Sequence, residues 1–110
     1  MSFKVIATEP FTRKIKKLAR KHKSVKSDLV RIIELLSDNP TLGTPLGKNC
    51  YKIRMAITSK GKGKSGGARI VTYVRIVKKT VFLLDIFDKS DRSTISDNEL
   101  IYLIDLLADD

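Results

Sequence analysis

The sequence predicts an α+β domain: one antiparallel β-sheet with the element order β-α-α-β-β-β-α and its helices packed on one face. Three observations predict it. Two apolar stripes at helical spacing lie back to back before Pro40. Three alternating or wholly apolar segments then follow between Cys50 and Asp88, joined by short connections, as in a meander. A capping signature near the end of the chain opens a last apolar stripe. The whole length, residues 1–110, fits a single domain whose core needs neither disulfide nor metal.

Each element has its own warrant. Phe3 to Thr8 alternates Phe3, Val5 and Ala7 against Lys4, Ile6 and Thr8, which predicts a short, mostly buried strand. Pro10 suits a helix start. Phe11, Ile15, Leu18 and Ala19 then recur at helical spacing, with lysines and arginines on the other faces, to about His22. Ser24 or Ser27 can cap a second helix that buries Val25, Leu29, Ile32, Ile33 and Leu36. That helix must end before Pro40. Residues 39–49, with two prolines and two glycines, predict a loop. Cys50 to Thr58 and Ala68 to Val77 alternate as strands, and Lys78-Lys79 is a tight connection. Thr80 to Asp88 is apolar on both faces, as an interior strand should be. Ser96-Asp97-Asn98-Glu99 is a capping box before Leu100, Ile101, Leu103, Ile104 and Leu107.

Composition excludes several chemistries. One cysteine, Cys50, allows no internal disulfide and no cysteine-based zinc site within one chain. One histidine, His22, leaves no two-histidine metal site and no paired-histidine ribonuclease. It falls where a helix C-terminus favours a capping imidazole. Cys50 reads as a small buried hydrophobe. The N-terminal MSFKVIATEP holds no long apolar core of a secretory signal, and no apolar run is long enough to span a bilayer, so a cytoplasmic protein is expected. No membrane partner and no cofactor are expected.

Charge is the most informative feature. The net +10 divides into +6 over residues 1–38, +10 over residues 39–84 and −6 over residues 85–110. The middle segment contains no acidic residue at all. A surface kept clear of negative charge suits a polyanion; an anionic membrane, an acidic protein or plain solvation are the other readings. Gly61, Gly63 and Gly66 match G-x-G-x-x-G, but that loop opens a strand rather than a helix, so a dinucleotide fold is not expected, and a P-loop at Gly63-Lys64-Ser65 would need a glycine where Thr58 stands. What remains is a glycine loop bearing Lys60, Lys62 and Lys64, able to approach a phosphate closely, or a plain hairpin tip. Arg54, Arg69, Asp88 and Lys89 fall where a meander can gather them on one concave surface. Two arginine forks there can hold a phosphate and stabilise a pentacoordinate transition state. Ion pairing of Asp88 with an arginine is the competing account.

Tyr51-Lys52-Ile53-Arg54, the run from Lys60 through Gly67 to Ala68-Arg69-Ile70, and Leu83 through Ser90 together resemble the RelE/ParE toxin superfamily, and within it the RelE and HigB-like branch. Asn39-Pro40-x-x-Gly43 is similar to that family's loop between helix hairpin and sheet. The resemblance implies a RelE-like fold and the toxin of a type II toxin–antitoxin pair. It implies partners in a cognate antitoxin, the ribosome and mRNA, and metal-independent cleavage by attack of a 2′-hydroxyl on the adjacent phosphate. It implies that Arg69 contacts the scissile phosphate, that Arg54 is a basic position beside it, and that Lys89 neutralises the phosphate or protonates the leaving 5′-oxygen. Asp88 would assist as a base. Lys52, Lys60, Lys62 and Lys64 would lie along the RNA. Phe87 stands where many relatives have tyrosine; it can stack on a base but has no hydroxyl. The same superfamily contains ParE-like inhibitors of DNA gyrase and leaves open an inactive RelE-like binding protein, two readings that the fold alone does not separate.

Overall fold

The computed structural model describes residues 2–60, 67–92 and 94–107. Its elements are β1 (Lys4–Ala7), α1 (Glu9–Lys21), α2 (Val25–Asp38), β2 (Thr44–Gly47), β3 (Cys50–Met55), β4 (Ala68–Arg75), β5 (Thr80–Asp88) and α3 (Asp97–Asp105), with a 3₁₀ turn at Thr58–Lys60 after β3. One five-stranded sheet runs in the order β1-β5-β4-β3-β2. The expected meander is β3-β4-β5, antiparallel throughout. The sheet as a whole is mixed, because β1 pairs with β5 in parallel. No helix among the described residues is long and apolar enough to cross a membrane.

Three further expectations need correction. Residues 39–49 are not all loop: Thr44–Gly47 forms β2 at the sheet edge. Pro45 and Gly47 argue against an interior strand, but an edge strand spares its outer donors, and a bulge between these two residues absorbs the misfit. Lys48 and Asn49 both take positive φ, 56° and 63°, which gives the tight hairpin turn into β3 its twist. Next, β1 is mostly exposed rather than mostly buried, since it is the opposite edge. Finally, the helices do not share one face. Phe11 of α1 and Val25, Ile32 and Leu36 of α2 pack with Ile53, Ile70, Val74 and Leu83. Leu100 of α3 packs with Cys50, Val71, Phe82, Leu84 and Phe87 on the other face. Strands apolar on both sides require both faces to be covered, so one helical layer cannot suffice.

β5 is the element on which the site depends. Its nine residues are buried except Asp88. The register passes from Val71 opposite Asp85 to Thr72 opposite Leu83, so Leu84 is an extra, bulged residue. β1 pairs only with residues Thr80 to Leu83. At that point Thr8 closes the ladder, its N–H and hydroxyl both donating to the Leu83 carbonyl at 3.1 and 2.8 Å. The chain then turns into α1, which lies along the remaining half of β5 in place of a strand.

Candidate nucleic-acid interface

Strand register builds the site. Arg54 of β3 lies directly opposite Arg69 of β4, and Arg69 lies opposite Phe87 of β5. Cross-strand partners point to the same face, so the three form one row on the side that α3 covers. One row along, Lys52, Val71 and Asp85 align in the same way. Arg54 is exposed and Arg69 half-buried. An Arg69 Nη1 donates to the Ala68 carbonyl at 3.3 Å, which orients the guanidinium. Like charges directly opposite one another weaken a ladder. An anion held between the two forks reverses that sign.

The row ends in a group that the sequence did not single out. The Arg92 guanidinium carbon stands 4.7 Å from the centre of the Phe87 ring. Arg92 Nη1 also donates to Glu99 at 2.8 Å, and Nη2 to Asp85 Oδ2 at 3.1 Å. Phe87 is only 8% exposed, so the face presented to solvent is largely that of Arg92. Glu99 belongs to the capping box of α3, where its carboxylate accepts from the Ser96 N–H. The Arg92 hydrogen bond and the Ser96 N–H hold the Glu99 carboxyl below its ordinary value. Asp85 is buried at the bulge. Its Oδ1 accepts from Lys14 of α1 at 2.7 Å and from the Ile86 N–H at 2.9 Å. A lone acid in the apolar run Leu83-Leu84-Asp85-Ile86-Phe87 was the available signal, because a buried carboxylate requires cations.

Asp88 stands apart from the arginine row. It lies opposite Ala68, so it faces the α1/α2 side, and Lys60 Nζ reaches its Oδ2 at 3.2 Å. Its ion pair is therefore with lysine rather than arginine. Burial works against the charged form of Asp88, but the Ser90 N–H, the Ser90 hydroxyl and Lys60 outweigh it and lower the pKa. A lowered folded value stabilises the protein above the ordinary value of 3.8, and that contribution is lost as pH falls through the lower folded one. Asp88→Asn should therefore lower the thermal midpoint at pH 7, and the deficit should shrink as pH falls below the ordinary value of 3.8. A deficit that is constant with pH would remove this account.

Lys89 is exposed just past β5, where its N–H donates to the Gly67 carbonyl at 3.2 Å. A Cβ at Gly67 would stand 2.6 Å from the Met55 carbonyl, so only glycine allows this close approach of β3 and β4. Lys62 and Lys64 lie outside the described residues. The stem ahead of them is tied to α2: Asp28 accepts from the Thr58 N–H at 3.1 Å and its hydroxyl at 3.0 Å. Ser24, the residue ahead of α2, places its hydroxyl on Asp28 and accepts from the Ser59 N–H instead of capping the helix. The structure thus brings together Arg54, Arg69, Phe87 and Lys52 on one face, with Lys89 at the strand exit and Asp88 with Lys60 on the other side.

His22 is the C-terminal cap residue of α1, its N–H bonded to the Leu18 carbonyl. Cys50 is buried, and burial pushes its thiol up to about 11, with Lys48 pulling slightly the other way. It should resist iodoacetamide in the folded protein and react on unfolding, and Cys50→Ala should leave activity unchanged. Rapid alkylation under native conditions would contradict this burial.

The fold has known counterparts. A family model described as the RelE toxin of the RelE/RelB toxin–antitoxin system matches residues 10–108. An arginine-to-alanine double mutant of the E. coli toxin RelE, in the free state, is 22% identical with a TM-score of 0.61, over 78% of this chain and 82% of that one. The intact E. coli RelBE toxin–antitoxin complex gives 23% identity and a TM-score of 0.59, over 77% and 94%. The isolated E. coli RelE toxin gives 18% and 0.60, over 96% and 99%. At these identities the structural likeness is one of fold.

Proposed function

The chain belongs to the family of RelE toxins of RelE/RelB toxin–antitoxin systems, and from that premise we propose that it is a ribosome-dependent mRNA endoribonuclease that stops translation in the cytoplasm. The observation that carries the reading is the Arg54–Arg69 pair, two forked cations facing each other on the acid-free strands β3 and β4, beside the Phe87 ring of β5. In this reading the 2′-hydroxyl, giving up its proton to solvent, attacks the adjacent phosphorus. A P–O2′ bond forms, the P–O5′ bond breaks, and the products are a 2′,3′-cyclic phosphate and a 5′-hydroxyl. Arg54 and Arg69 gather charge on the phosphoryl oxygens as it develops. Lys89 neutralises the phosphate or donates the proton that the leaving 5′-oxygen takes up. The Asp88 carboxylate, held charged by Lys60 and Ser90, is a weak base, and we assign it to fixing the strand exit. Lys52 lies along the RNA path, and Phe87 contributes through the guanidinium stacked on it.

The partner that restrains such a protein is an antitoxin with an acidic segment able to cover the arginine row. The fold neighbour solved as a toxin–antitoxin complex supports an antitoxin partner. Expression in cells followed by mapping of mRNA ends tests the reading, with a gyrase supercoiling assay run alongside. Codon-phased mRNA cuts and normal supercoiling are expected. Growth arrest with intact mRNA and blocked supercoiling would move the chain to the gyrase-inhibitor class.

A further inference from the structure

The half of β5 that β1 leaves unpaired borders a cleft of about 690 Å³. Lys14, Lys17, Arg20 and Lys21 of α1 form one wall, and Ile86, Phe87 and the Arg92 turn form the other. We propose that this cleft is a second RNA subsite, seating the backbone of single-stranded RNA that continues from the arginine row around the edge of β5. The inference rests on the preceding reading only for the identity of that strand.

Charge and geometry carry it. Lys14 is committed to Asp85, whereas Lys17, Arg20 and Lys21 have no ion pair among the described residues. Of the two acids on the rim, Asp88 is matched by Lys60, and Asp91, with no ion pair among the described residues, leaves one negative charge against the three cations. Lys17 and Lys21 are one helical turn apart, about 6 Å along the axis, a step comparable to that between successive phosphates of an extended strand. The other wall supplies what an acidic peptide would not need, a flat cation lying on an aromatic ring. Guanidinium planes of this kind stack on bases. Phe87 belongs both to the arginine row and to this wall, so the two surfaces are continuous.

Fluorescence anisotropy with a labelled single-stranded RNA tests the proposal on the intact protein without requiring cleavage. Lys17→Ala and Lys21→Ala are exposed helix positions where alanine is well tolerated. Each should flatten the log–log salt dependence of binding by about 0.7, and the double variant should weaken binding about tenfold at low salt. Lys78→Ala, at the far end of β5 and about 26 Å along the strand, removes the same charge and should change the slope by much less. Equal losses for all three variants would mean bulk charge and would overturn the proposal. So would unchanged RNA binding together with weakened binding of a polyglutamate peptide, which would make the cleft a protein-docking surface. Cleavage on ribosomes is scored separately, so loss of the nuclease reading and loss of the cleft are distinct results.

Discussion

Arg69→Ala should lower the rate of RNA cleavage by about 10²- to 10³-fold, the usual consequence of removing one preorganised donor to a developing oxyanion. Three features make this the most sensitive position. Arg69 lies on β4, the middle strand of the five. Its guanidinium is half-buried and oriented by the Ala68 carbonyl. It stands between Arg54 and Phe87 in the row. Arg69→Lys should recover little, because an ammonium cannot present two parallel donors to a phosphate. The thermal midpoint should stay level or rise slightly, since the substitution relieves a like-charge pair. Single-turnover cleavage within threefold of wild type, in a folded variant, would remove the arginine row from the chemistry.

Asp85→Ala should cost about 2–3 kcal/mol of stability. Removing one member of a wholly buried pair costs more, but Lys14 and Arg92 are 49% and 35% exposed at their side chains and can rehydrate. The Ile86 N–H cannot, and losing its acceptor leaves a buried donor unsatisfied. For a domain of this size the midpoint should fall by roughly 10–15 °C. Asp85→Asn keeps the shape and an acceptor for Ile86 and should cost clearly less. The change also removes a negative charge beside the arginine row and releases Lys14 and Arg92, so RNA binding should hold or strengthen at temperatures where the variant is folded. A loss below about 0.5 kcal/mol would show that Asp85 does not tie α1 to the sheet.

The sequence disclosed what depends on periodicity and local capping. The limits of β5, the capping box at Ser96 and Glu99, and the helix that ends before Pro40 all follow from side-chain spacing. It did not disclose what depends on strand order. Nothing local in Lys4–Ala7 says that this segment pairs in parallel with β5, or that the chain then turns off and leaves half of β5 to α1. The same gap hid part of the candidate site. Arg54 and Arg69 were recoverable because adjacent strands of a meander have few registers. Arg92 was not, because its place depends on a bulge at Leu84 and on α3 crossing to the face opposite the other helices. Asp88 was legible as an ion-pairing acid, but its partner depends on where the turn at Thr58–Lys60 sits.

The most direct measurement uses purified protein, ribosomes programmed with a defined mRNA, and a second mRNA carrying a 2′-deoxy nucleotide at the scissile position. The account predicts one cut on the ribosome, an upstream fragment ending in a cyclic phosphate, a downstream fragment with a 5′-hydroxyl, and no cut in the 2′-deoxy message. An all-ribose message that stays intact on the ribosome, or cleavage of the 2′-deoxy message at the same site, would contradict it.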